Sequence, residues 1–149
     1  MVSKVLVAVD GSENSDRSLD FALEFAEKYG AALTIMNVTE SSAVAAVPTE
    51  IGAYPSNNMI VVARDLRKFH EGILEKALTR AKETKPNVAV TSLLKEGNAA
   101  SEIAAVSKEG NYDVVVLGHR GVGKMREILL GSISEKVAHT VPCTVIIVK

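Results

Sequence analysis

The sequence predicts an α/β fold in three layers, with four helices covering both faces of a five-stranded parallel sheet. Short runs rich in β-branched residues alternate along the chain with segments of helical period, which is the order that builds right-handed strand–helix–strand crossovers. Several of the runs are apolar throughout, as in strands covered on both faces, where strands with one wet face would alternate. The chain has 149 residues, the length of one domain at about 150 residues each.

The first strand is expected over Val5 to Val9. A helix follows the cap-like Ser15, with Leu19, Ala22, Leu23 and Ala26 on one face, and closes at Gly30. Leu33 to Val38 forms the second strand. The stretch from Ser41 to Asn58, with Pro48, Gly52 and Pro55, reads as a long loop, either a lid over a ligand or a plain flexible insertion. Leu66, Phe69, Ile73, Leu74, Ala77, Leu78 and Ala81 mark the second helix before Pro86, and a weaker strand covers Val88 to Leu94. The third helix opens at Asn98, buries Ile103 and Val106 and stops at Gly110. Val114 to Leu117 is the fourth strand. The last helix opens at Ser132, where Glu135 three residues on completes the spacing of a capping box, with Ile133, Val137, Ala138 and Val141 on one face. Thr144 to Val148 closes the sheet.

Composition excludes several classes. A formal net charge of −1 and no basic stripe argue against nucleic acid as the main partner, because phosphate neutralisation needs clustered cations. The N-terminal apolar run is too short for a signal segment or a membrane span, so neither export by that route nor a membrane anchor is expected. The single Cys143 excludes an internal disulfide and fits a reducing compartment, the cytoplasm. In an apolar strand beside Pro142, it reads as a small buried hydrophobe. His70, His119 and His139 lack the spacing of a metal site, and no G-x-S-x-G elbow marks a serine hydrolase.

Ligands of open parallel sheets sit beyond the carboxyl ends of the strands. Asp10, Gly11 and Ser12 follow the first strand, Val38 and Thr39 end the second, and Gly118-His119-Arg120-Gly121-Val122-Gly123-Lys124 follows the fourth. The last segment approaches a phosphate loop, but Met125 stands where that motif needs a hydroxyl, and the segment follows the wrong strand. What remains is a glycine-rich turn whose bare amides can approach an anion, with Arg120 and Lys124 supplying charge. Gly131-Ser132 then opens a helix, and a helix start offers N–H donors to phosphate. Asp10 has two readings at this point, ligand contact or a cap on its own turn.

The pattern G-x2-G-x9-G-S, realised by Gly118, Gly121, Gly131 and Ser132, resembles that of the universal stress protein family in its nucleotide-binding branch. The resemblance runs along the whole chain, through Val7-Ala8-Val9-Asp10-Gly11-Ser12, Gly97, Asp113 to Gly121, and Pro142 to Val148, with Thr144 where the family often has proline. It implies an adenine nucleotide alpha hydrolase-like, Rossmann-like fold and ATP as ligand, with Mg2+ or Mn2+ bound mainly through the phosphates. By the same resemblance, Asp10 lies by the ribose or the metal-bound phosphates and the backbone of Val38 reads the adenine edge. Gly118, Arg120, Gly121, Gly131, Ser132 and Ser134 wrap ribose and phosphates, flanked by Ala8, Val9, Leu117 and Ile133. The function it implies is that of an intracellular ATP-binding regulator of the stress response. The alternatives are a dimeric adaptor, acting on a protein partner that the sequence does not identify and binding AMP, a cyclic nucleotide or none, and a slow ATP hydrolase. No residue supplies the nucleophile or base that efficient hydrolysis needs. A homodimer through the C-terminal strand is expected because apolar Val145-Ile146-Ile147-Val148 makes an edge that invites pairing.

Overall fold

A computed structural model describes residues 1–40, 57–119 and 131–149. In chain order the elements are β1 (Lys4–Ala8), α1 (Glu13–Tyr29), β2 (Ala32–Thr39), α2 (Asn57–Thr84), β3 (Val90–Glu96), α3 (Ala99–Glu109), β4 (Val114–Gly118), α4 (Ser132–Thr140) and β5 (Thr144–Val148). All five strands pair in parallel, in the order β3-β2-β1-β4-β5. The expected three-layer α/β sandwich is therefore the fold.

Side-chain alternation along the strands sorts the core into two halves. Val5 and Val7 of β1, Leu33 and Ile35 of β2, and Val114 and Val116 of β4 face α1 and α2, meeting Leu19, Leu23, Leu74 and Ala81. Leu6, Met36, Val115 and Leu117 face the other way, onto Ile103 and Val106 of α3 and Val137 of α4. The central strands β1 and β4 are buried on both faces, as their unbroken apolar runs require.

Several boundaries differ from the sequence expectation, each for a local reason. Ser12, not Ser15, caps α1: its side chain accepts the Ser15 N–H, while the Ser15 hydroxyl donates to the Ser12 carbonyl. Helix α2 begins at Asn57, so residues 57 and 58 of the expected loop are helical, and its remainder, 41–56, lies outside the described residues. Phe69 is 64% exposed, and the inward stripe of α2 runs instead through Leu66, His70, Ile73, Leu74, Ala77 and Ala81. Strand β3 starts at Val90 because Val88 is held in the turn that closes α2, its N–H donating to the Lys85 carbonyl at 3.1 Å.

Asp113 fastens the end of the sheet at which β1 and β4 begin. Its carboxylate accepts the Ser3 N–H at 2.8 Å, the Lys4 N–H at 2.9 Å and the Ser3 hydroxyl at 3.0 Å. These bonds, the Ser3 amide first, hold the Asp113 carboxyl below its ordinary value. A carboxylate with a depressed folded-state pKa stabilises the fold above its unfolded value, and the contribution fades as pH falls through the folded one. Asp113→Ala should therefore be less stable than the parent in urea unfolding at pH 7, with the gap closing well below about pH 4. A gap independent of pH would contradict this role.

Candidate functional site

Strand order reverses between β1 and β4, since the chain moves outward one way through β2 and β3 and the other way through β5. In open parallel sheets a ligand crevice forms at such a reversal, beyond the carboxyl ends of the strands. Three strand ends and one helix start surround it.

On the β1 side, Ala8 ends the strand, Val9 is buried, and Asp10 opens a tight turn in which its Oδ1 accepts the Ser12 N–H at 2.9 Å. Gly11 has φ +83°, and a Cβ on it would sit 3.2 Å from Ile73 Cδ1 of α2, so both conformation and space call for glycine. The turn-capping reading of Asp10 is thus realised by one oxygen, and a carboxylate has a second.

On the β4 side, Leu117 is buried and Gly118 ends the strand. A Cβ on Gly118 would lie 3.2 Å from the carbonyl carbon and oxygen of Asn14, so glycine lets the first turn of α1 close onto the strand end. The Ser134 hydroxyl donates to the Gly118 carbonyl at 2.8 Å, and the Gly131 N–H donates to the His119 carbonyl at 3.0 Å. The His119 N–H in turn donates to the Val148 carbonyl at 2.7 Å, linking this end to β5. These bonds bring the start of α4 against the end of β4. Arg120 and Gly121 lie outside the described residues, as do Lys124 and Met125.

The capping box expected at Ser132 is not formed. Gly131 is the N-cap, with φ −59° and ψ 147° and no side-chain cap, and its carbonyl receives the Glu135 N–H at 3.0 Å. Ser132 is therefore the first helical residue, one place too late to cap. Ile133 is 41% exposed and Ala138 is exposed too, while Ser134 and Val137 take the buried face. Of the amides at the start of α4, Ser132, Ile133 and Ser134 precede the first intrahelical bond and have no acceptor within the helix.

The third side is β2, where Val38 is half-buried with its side chain in the α3-side core. Beside it Asn37 is 2% exposed, and its Nδ2 donates to the Val9 carbonyl at 2.6 Å while its Oδ1 lies 2.6 Å from His70 Nδ1 of α2. Sequence reading missed both residues. Asn37, a polar residue directly between the apolar Met36 and Val38 of the predicted strand, is one available signal. His70, standing on the apolar stripe of α2, is the other.

With this geometry in view, comparison with known proteins is decisive: the sequence profile of the Universal stress protein family matches residues 1–149. The chain belongs to the universal stress protein family. Universal stress protein YxiE of Bacillus subtilis is 33% identical over 150 residues, the full length of both chains. Among solved structures, universal stress protein UspA from Lactobacillus plantarum superposes with a TM-score of 0.80 at 20% identity, covering 99% of this chain and 97% of that one. A universal stress protein in complex with cAMP gives a TM-score of 0.72 at 24% identity over 99% and 97% of the two chains. One from Archaeoglobus fulgidus in complex with dAMP gives 0.65 at 19% identity over the full length of both.

Cys143 is half-buried where the sequence suggested full burial, its side chain packs against the α3-side core, and desolvation pushes its thiol above the ordinary value. His139 stands in the last turn of α4. Among the described residues no three His, Cys, Asp or Glu side chains gather as metal ligands, and no helix is long and apolar enough to cross a membrane.

Proposed function

We propose that this universal stress protein binds ATP with Mg2+ in the crevice between the ends of β1 and β4, and acts as a nucleotide-dependent regulator in the cytoplasm. The observation that supports it best is the pair of bonds from Gly131 and Ser134 to His119 and Gly118, which sets helix-start amides beside the strand-end glycine. Those amides and the positive end of α4 suit a polyphosphate. On this reading Gly118, Arg120, Gly121 and Gly131 to Ser134 hold ribose and phosphates, flanked by Ala8, Val9 and Leu117. The backbone of Val38 meets the adenine edge.

Asp10 fits the metal in this scheme. Mg2+ binds through one or two carboxylates together with substrate phosphates and water, and the turn uses only Oδ1 of this carboxylate. The ion would neutralise phosphate charge, and Asp10 would orient it from the β1 side. Regulation requires that nucleotide bind one conformation of the protein more tightly than another.

A second reading, an adaptor that takes AMP or a cyclic nucleotide, draws on the relatives solved with cAMP and dAMP. Isothermal titration separates the two. ATP with Mg2+ should bind at least about tenfold, or 1.4 kcal/mol, more tightly than AMP or cAMP; the reverse order would favour the adaptor. Slow hydrolysis is the weakest reading, and phosphate release at the uncatalysed rate is expected. We propose further that two copies pair through β5, the strand at one edge of the sheet.

A further inference from the structure

Asn37 joins the two strand ends that would flank the nucleoside. The paired register of β1 with β2 runs to Ala8 opposite Met36. One residue further, the side-chain amide of Asn37 reaches across to the Val9 carbonyl at 2.6 Å. Val9 adjoins Asp10 and Asn37 adjoins Val38, so one buried amide spans the ribose flank and the base flank of the crevice.

The amide is itself held from outside the sheet. With Nδ2 committed to a carbonyl, Oδ1 is the atom that faces His70 Nδ1 at 2.6 Å. An amide oxygen only accepts, so His70 carries its proton on Nδ1. One turn along α2, Ile73 packs against Gly11 of the Asp10 turn. The same helical turn thus reaches the crevice by a polar route through Asn37 and by an apolar one through Gly11.

We propose that His70 is a positioning residue of the nucleotide pocket, acting through Asn37 to fix the Val9 carbonyl and with it the turn that presents Asp10. This rests on the reading that the crevice binds nucleotide. Helix α2 thereby becomes an element whose shift would be felt at the pocket without any contact to the ligand.

The test compares the full-length parent with His70→Ala and His70→Asn. The asparagine variant can place an amide donor near the position of Nδ1; the alanine variant leaves a buried oxygen without its partner. Three measurements are made: the His70 tautomer in the parent from imidazole nitrogen shifts, amide exchange at Ser12, and affinity for ATP with Mg2+. The expected results are an Nδ1–H imidazole, about tenfold faster Ser12 exchange and about tenfold weaker ATP binding in the alanine variant, and recovery of most of both losses in the asparagine variant. Circular dichroism should match the parent throughout. A neutral Nε2–H tautomer, or parent-like exchange in His70→Ala, would overturn the proposal. If the parent bound no nucleotide, the pocket reading would fall and Ser12 exchange would still decide the relay.

Discussion

Gly131→Leu is expected to weaken binding of ATP with Mg2+ by about a hundredfold or more, equivalent to at least about 2.7 kcal/mol, while the protein stays folded. Gly131 has φ −59° and ψ 147°, a conformation open to any L-residue, so the substitution carries no backbone strain. Leucine is a poorer N-cap than glycine, which costs about 1 kcal/mol. The larger effect on binding comes from side-chain atoms at the start of α4, where the amides of Ser132 to Ser134 would meet phosphate. Gly118 is less informative, since a Cβ there presses on the Asn14 backbone at 3.2 Å and would disturb packing together with binding. Titration calorimetry beside thermal unfolding separates affinity from stability, and parent-like affinity in Gly131→Leu would displace the site.

Ile147→Pro is expected to convert the proposed dimer to a monomer, halving the mass seen by light scattering and weakening association by about a hundredfold or more. The choice of residue follows from the ladder. The Thr144 N–H donates to Asp113 and the Val148 carbonyl accepts from His119, both toward β4, so in the alternating pattern Ile146 also points its backbone to β4. Val145 and Ile147 then present theirs to the open edge. Proline at Ile147 removes one outward donor and spares the β4–β5 ladder, as edge strands tolerate. Charged residues at Ile146 or Val148 would be a poorer test, because both side chains pack against the α1-side core. A dimer that persists in Ile147→Pro would move the interface elsewhere.

The sequence carried the fold further than it carried the site. Runs such as Val114 to Leu117 and the stripe Leu19, Ala22, Leu23, Ala26 are local patterns, and local patterns survive translation into strands and helices. Misreadings arose where two neighbouring residues competed for one role. Ser132 has the better capping side chain, yet Gly131 occupies the cap, and Phe69 is more apolar than His70, yet His70 faces inward. The site depends on pairs far apart in the chain: Asn37 with His70 at a separation of 33 residues, and Gly118 with Ser134 at 16. Such pairs follow from strand order, which periodicity does not reveal. Gly118 of the glycine pattern, and Gly11 outside it, are legible in the sequence because each answers a steric demand, the approach of α1 to Gly118 and of Ile73 to Gly11.

The most direct test of a nucleotide at the β1–β4 crevice is a titration of the isotope-labelled protein with ATP and Mg2+, followed through its backbone amide signals. Shifts should concentrate at Gly11, Ser12, Val38, His119 and Ser132 to Ser134, with Ser3, Lys4 and Asp113 at the opposite end of the sheet unmoved. A spectrum unchanged at saturating ATP, or shifts gathered at that opposite end, would contradict the account.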